Sequence, residues 1–282
     1  MVLITTKKGK TGKTRFNAHL STSLGRVSNF LELMNTEQYL EVRREGITND
    51  GFGPFLEDPA FDFIWPDIKS WDNDRYTDWQ KKLIGGTAYR NSAQLSVSGG
   101  SSDTQFLVSG AYNKETTVFL GDANYKKATL HSNLNHKSSN HRFKFNLSTS
   151  YTNEKNRMPR TDFTSKAYTL EPNAPELYDA EGNINWENNT WDNPLASLEE
   201  TFEVTTNTLI ANALVSYEII PNLEFKSSLG FNSYRLDSYR TLPSSARNPN
   251  LGLTPQNYAS LTTNGSKRNS WIVEPQLHWR KQ

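Results

Sequence analysis

Polar and apolar residues alternate with a period of two through eight separate stretches of the chain, each about ten residues long. In "TRFNAHLSTSL" the residues Phe16, Ala18, Leu20 and Leu24 share one face, while Asn17, His19 and Ser21 take the other. "NSAQLSVSGG" sets Ala93, Leu95 and Val97 against serines and a glutamine, and "TQFLVSGAYN" places Phe106, Val108 and Tyr112 together. "KKATLHSNLNH" and "RFKFNLSTSY" repeat the pattern with Ala128, Leu130 and Leu134, then Phe143, Phe145, Leu147 and Tyr151. "TLIANALVSYEI", "LEFKSSLGF" and "SWIVEPQLHW" complete the set, running from Leu209 to Trp279. Alternation of this kind is the signature of strands with one apolar face. The expected fold is therefore all-β.

The connections narrow the architecture. Tight turns are expected at 99–103, at 137–140 and at Pro221-Asn222, with longer loops at 25–88, 114–124, 152–206 and 237–266. Beyond the first strand, tight and long connections alternate, which puts every long loop at one end of the sheet. A soluble sandwich has no reason for that segregation, whereas a transmembrane β-barrel has short periplasmic turns, long extracellular loops and strands of about ten residues. Tyr112, Tyr151, Tyr217, Trp271 and Trp279 then read as girdle residues at the lipid headgroups. The competing interpretation is cross-strand aromatic packing in a soluble sheet. Two helices are expected in the first loop. "MNTEQYLEVRREG" has Asn35 or Thr36 as N-cap and Gly46 as stop, and "NDRYTDWQKKLIGG" runs to Gly85-Gly86.

Composition agrees with one-sided strands. The 282 residues have a mean hydropathy of −0.72 and 35% hydrophobic residues, yet 12% are aromatic, so the chain is not of disordered type. The 31 basic and 30 acidic residues balance, which gives no electrostatic case for a nucleic-acid partner. With no cysteine, thiolate metal sites, cysteine nucleophiles and disulfides are excluded. No apolar run reaches the eighteen or so residues of a transmembrane helix.

The stretches that resemble chemistry are weak. "KKGKTGKT" at 7–14 suggests a phosphate loop, but Lys7 stands where the first glycine belongs, and a strand pattern follows where a helix is required. "DNDRYTD" (Asp72 to Asp78) and "DAEGNINWE" (Asp179 to Glu187) offer oxygen ligands at alternating positions, yet neither has the glycine of a calcium loop at its sixth position. Plain surface turns account for both. His19, His131, His136, His141 and His278 show no helical pairing, and no Ser-His-Asp order or carboxylate pair stands out, so nothing points to an enzyme, a cofactor or a metal. The loop aromatics Trp65, Trp71, Tyr178, Trp186 and Trp191 have flat faces that could stack on sugar rings, or could pin a long loop to itself.

Several motifs, in order, resemble a known family. "VLITTKKGK", "MNTEQYLEVRREG", "TDWQKKLIGGTAYRNSAQLSVSGGS", "TQFLVSGAYNKETTVFLG" and "YKKATLHSNLNH" are similar to SusC/RagA-type TonB-dependent outer-membrane transporters of the Bacteroidetes. "NAPELYDAEGNINW" with "NPLASLEE" resembles that family's long third extracellular loop. The resemblance implies that residues 1–11 are the end of a plug domain and its crossover, and that 12–282 are the N-terminal part of a barrel of 22 strands. An antiparallel transmembrane β-barrel fragment of about eight strands follows, with long extracellular loops carrying short helices. It also implies energised import of glycans or peptides across the outer membrane, a SusD-like lipoprotein as lid, and a TonB complex acting through parts outside this chain. No single substrate-binding residue is singled out. Two other readings stay open: a complete eight-stranded outer-membrane barrel with a structural or adhesive role, and a soluble carbohydrate-binding β-protein.

Overall fold

The computed structural model describes residues 9–158 and 161–280. Eight strands form one antiparallel sheet in sequence order: β1 (Gly12–Gly25), β2 (Ala88–Gly100), β3 (Thr104–Thr116), β4 (Asn124–Lys137), β5 (Phe143–Met158), β6 (Thr201–Ile220), β7 (Leu223–Leu242) and β8 (Ser260–Trp279). Four α-helices lie in the long connections: α1 (Thr36–Asn49), α2 (Pro66–Lys69), α3 (Trp79–Ile84) and α4 (Phe163–Thr169). No helix among the described residues is long and apolar enough to cross a membrane. The plug-strand reading of "VLITT" falls outside the described residues.

The register carries the face assignment across the whole sheet. One row of directly paired residues reads Phe16, Val97, Val108, Ser132, Thr149, Ala211, Phe231, Trp271 from β1 to β8. The next row on the opposite face reads Asn17, Ser96, Ser109, His131, Ser150, Ile210, Asn232, Ser270. The first row is apolar except for Ser132 and Thr149, whose hydroxyls bond each other at 2.6 Å. Each hydroxyl thereby gains a partner on a surface that offers no others.

That apolar face is not covered. Phe16 is 81% exposed and Trp271 77%, with Leu20, Leu130, Leu229, Leu277 and Trp279 also open. Among the described residues the buried hydrophobic side chains all lie in the connections, with Leu83 (0% exposed), Trp79 (3%) and Phe163 (0%) among them. A soluble sheet protein would bury its apolar strand faces against each other, so this arrangement removes the soluble reading. A closed eight-stranded barrel fails too, because among the described residues β1 pairs with β2 alone and β8 with β7 alone. Lipid does not tolerate unpaired ladder edges, and closure therefore needs further strands. The fold is an antiparallel transmembrane β-barrel fragment whose long loops carry short helices.

The strands exceed the expected ten residues. β1 to β5 have 13 to 16, and β6, β7 and β8 have 20 each. The loops expected at 152–206 and 237–266 are shorter accordingly, since β5 runs on to Met158, β6 starts at Thr201, β7 ends at Leu242 and β8 starts at Ser260. The added segments, such as "TFEVTTNT" and "DSYRTL", lack an apolar outward face (Glu203, Thr205 and Asn207 point outward in β6), although the ladder continues through them. In β8, Trp271 and Trp279 stand eight residues apart on the apolar face, about 27 Å of strand. Tilted by about 40°, that length spans roughly 20 Å, close to the ~25 Å height of a barrel's apolar band.

The tight turns fall as expected. Gly100 takes φ 144°, and a Cβ there would overlap the Thr104 carbonyl. Asn222 supplies the positive φ (71°) of the Pro221-Asn222 turn. In α1 the N-cap is Asn35, with a reciprocal capping box to Gln38. Gly46 is not its stop: it lies inside the helix, which ends at Asp50-Gly51, where Gly51 adopts φ 86°. Apolar Ile47 follows Gly46 and is buried, so packing overrides the helix-breaking tendency of one glycine.

Leu229→Arg, on the outward face, should cost about 2–4 kcal/mol of folding stability in lipid. Ser228→Arg, one residue away on the inward face and opposite Glu274, should cost far less. Heat-modifiable gel mobility of the membrane-inserted protein, read against denaturant, compares the two; equal losses would refute the face assignment.

Candidate functional site

The packed core belongs to the extracellular connections. Trp71, Trp79, Leu83 and Ile84 from the first loop meet Phe163, Ala167, Ala174, Leu177, Trp191 and Leu195 from the third, with Phe119 and Leu120 of the second packed against them. Trp191 is the hub: its ring lies 6.5 Å from Trp71 and 6.1 Å from Trp79, and its Nε1 donates to the Asn185 carbonyl at 2.9 Å. Backbone bonds join the loops, from Thr77 N to Pro172 O at 2.8 Å and from Leu120 N to Leu83 O at 2.9 Å. Trp79 Nε1 donates to Glu171 O at 2.7 Å, and Trp71 Nε1 to Thr190 Oγ1 at 2.9 Å. The fourth loop joins through Asn248 Nδ2, which donates to Asn189 Oδ1, and through Arg247, whose Nη2 lies 4.0 Å from Glu200 Oε1. Four connections thus form one cap.

A charged cluster sits where α1 meets α2. Asp67 is 4% exposed; its Oδ2 accepts from Tyr39 OH at 2.8 Å and from Arg43 Nε at 2.9 Å. Asn173 Nδ2 donates to the Asp67 carbonyl at 2.7 Å, tying the third loop to the first. Burial, reinforced by the Asp67 charge, pushes the Tyr39 hydroxyl well above its ordinary range, so it stays a donor. Burial also raises the Glu171 carboxyl, with the nearby Asp67 charge adding to it.

Two adjoining cavities open on this cap, one of about 560 Å³ and one of about 360 Å³, sharing Lys166, Asp192, Asn248 and Leu251. The larger is walled by Arg43, Glu171, Trp71 and Trp191, and the smaller by Trp186, Glu200 and Arg247. Together they make a mixed-charge, aromatic-edged groove of ligand size. It can hold a polar ligand by hydrogen bonds and ring contacts.

The loop aromatics divide between the two roles considered for them. Trp71 and Trp191 pin the loops and are buried, yet one edge of each reaches the groove. Trp186 lines the groove without joining the core, Trp65 packs on Phe52 at 6.1 Å, and Tyr178 is exposed beside a bridge to Ile184. Lys166, Asp192 and Asn248 escaped sequence reasoning, because only the meeting of two loops gives them a common surface. Asp179 is the pivot of a turn: its Oδ1 accepts from Glu181 N at 3.1 Å and Asn183 N at 2.7 Å. In the other acidic stretch, Asp72 Oδ1 takes Asp74 N and Asp78 Oδ1 caps α3 at Lys81 N. The described part of "KKGKTGKT" enters β1 at Gly12. His19, His131 and His278 lie on the inward face, His136 bonds Thr104 Oγ1 at 2.8 Å, and His141 forms a turn with φ 59°.

No protein-family model matches the chain. A TonB-dependent receptor P3 of Formosa agariphila is 28% identical over 246 residues, covering 83% of this chain and 22% of that protein. The TonB-dependent receptor SusC of Bacteroides thetaiotaomicron is 24% identical over 258 residues, covering 82% of this chain and 24% of its own length. The solved RagAB peptide importer in its closed-closed state superposes with a TM-score of 0.65 over 96% of this chain and 33% of that one, at 17% identity. The chain resembles TonB-dependent receptors of SusC/RagA type. It spans about a quarter of the length of the curated relatives it matches. TonB-dependent receptors of this type are outer-membrane proteins, and the relatives are receptors and transporters rather than enzymes.

Two outcomes test the cap. Trp191→Ala should cost it about 3–5 kcal/mol, seen as rapid protease cleavage of the loops while the barrel stays inserted. The raised carboxyl of Glu171 means that stability is fullest where the group is protonated and is lost as pH rises through the folded value. Glu171→Gln should therefore protect the loops from proteolysis at pH 8, with the advantage over wild type vanishing below about pH 4. A variant cleaved as fast as wild type at pH 8 would refute the assignment.

Proposed function

We propose that this chain is part of a TonB-dependent outer-membrane transporter that imports glycans, with a SusD-like lipoprotein as lid over the extracellular loops. The observation that carries the reading is the division of apolar surface. The strands expose theirs outward, while the two packed clusters among the described residues lie in the extracellular connections, the larger beside a polar groove. That division suits a lipid-embedded wall that holds its ligand at the mouth. In this reading residues 1–11 end a plug domain and cross to the barrel, 12–282 begin the barrel wall, and the energy comes from a TonB complex through the plug and other parts of the parent protein.

The first loop supports the lid. Leu31, Leu33 and Met34 are exposed in an extended run away from the strands, held by paired bonds of 2.8 Å between the Leu31 backbone and the Gln80 side chain. Solvent-exposed apolar side chains fixed in place suit a protein partner. Peptide import is the second reading, favoured by the superposition on the RagAB peptide importer.

Transport involves no bond making. Asp192 and Lys166, which border both cavities, would orient the ligand by hydrogen bonds, and Trp186 would supply a stacking face. Binding to the loops, closure of the lid and rearrangement of the plug would then admit the ligand inward.

Asp192→Ala combined with Lys166→Ala should weaken ligand binding by roughly tenfold or more, from two lost hydrogen bonds of ~1 kcal/mol each, with barrel insertion unchanged. Cells carrying the intact transporter, supplied with labelled oligosaccharides or peptides with and without an active TonB complex, report the substrate class. Accumulation that ignores TonB would overturn the proposal.

A further inference from the structure

Charge is handled differently on the two faces of the extracellular half of the sheet. Inside, directly placed ion pairs form between neighbouring strands: Lys127 reaches Glu154 at 2.8 Å and Arg90 reaches Glu115 at 3.1 Å. Outside, Lys114 of β3 stands directly opposite Lys126 of β4, and Lys126 directly opposite Lys155 of β5. Like charges facing each other across neighbouring strands are destabilising. Glu203 answers Lys155 at 2.8 Å, and Asp122 answers the neighbouring Arg157 at 2.7 Å. Neither Lys114 nor Lys126 has a carboxylate partner among the described residues.

The row has a defined height. It lies on the face of Tyr112 and Tyr151, one step beyond the paired row of Tyr112 and Ala128 toward the long loops. The apolar band ends there, so the ammonium groups of a membrane-inserted sheet would sit among outer-leaflet headgroups. We infer that Lys114, Lys126 and Lys155 form a docking site for the phosphate groups of outer-leaflet lipopolysaccharide. A phosphate bridging Lys114 and Lys126 would remove their repulsion, with Lys155 at the edge of the site. Phospholipid phosphates share this chemistry, but the site opens at the extracellular end, where lipopolysaccharide is the abundant phosphate carrier. The inference rests on the outer-membrane orientation proposed above.

The test uses the full transporter, extracted in mild detergent from outer membranes, with retained lipid counted by native mass spectrometry. Wild type should carry lipopolysaccharide. K114Q/K126Q should lose about thirtyfold in affinity for added lipopolysaccharide, since each lysine at an anionic surface contributes about a factor of five. The charge-keeping K114R/K126R should retain binding, and the inward-facing K226Q should match wild type. Lipopolysaccharide retained equally by K114Q/K126Q would overturn the inference, as would wild type that selects phosphatidylglycerol instead. TonB-dependent uptake should persist in K114Q/K126Q, which separates this site from the transport reading. A wild-type protein absent from the outer-membrane fraction would sink both. Should K114Q/K126Q fail to insert, the rise in melting temperature of wild type on adding lipopolysaccharide, compared with phosphatidylglycerol, decides the matter in the same sense.

Discussion

A backbone in lipid must find every hydrogen bond within the protein, and this sheet does so between neighbouring strands, save at the outer edges of β1 and β8, while leaving its apolar side chains to the bilayer. The rest of the structure depends on that constraint. A strand face that meets lipid needs no protein partner, so no core forms beneath the sheet. The opposite face, with Asn17, Ser96, His131 and Asn232 along it, stays polar. Even the outward exception obeys the rule, since the hydroxyls of Ser132 and Thr149 satisfy each other.

Because the sheet has no core of its own, the loops must supply their own order. They do so through aromatic packing around Trp191 and through the buried Asp67 cluster, which holds α1 to α2 and reaches the third loop by Asn173. The polar groove is a consequence of this packing: Lys166 and Asp192, which border it, come from a segment folded against the first loop. A ligand bound there would touch the residues that hold the loops together, so binding and loop order are coupled by construction.

How far the sequence could be read follows from the same physics. Period-two alternation exists only where a strand separates lipid from a polar interior, and there the pattern of Phe143, Phe145 and Leu147 was legible. The outer part of β6 carries Glu203, Thr205 and Asn207 outward in place of apolar residues, so "TFEVTTNT" looked like loop although its ladder is continuous. Turns with special backbone needs, such as Gly100 and Asn222, were legible because those residues tolerate positive φ. Gly46 misled because the helix of which it is part is held by the burial of Leu40 and Ile47, which a local rule does not weigh. Of the candidate site, the tryptophans announced themselves by type; their partition between pinning and lining depended on contacts more than a hundred residues apart, such as Trp71 to Thr190.

The sequence by itself determined the strands that face lipid, the end of the sheet at which the long loops gather, and the absence of thiol chemistry, since these follow from local alternation, spacing and composition. Only the tertiary structure decided that the sheet remains open at β1 and β8, that the loops share one core, and that Lys114, Lys126 and Lys155 fall in a single row. Register and loop packing join residues far apart in the chain, and no local pattern encodes which of them will meet.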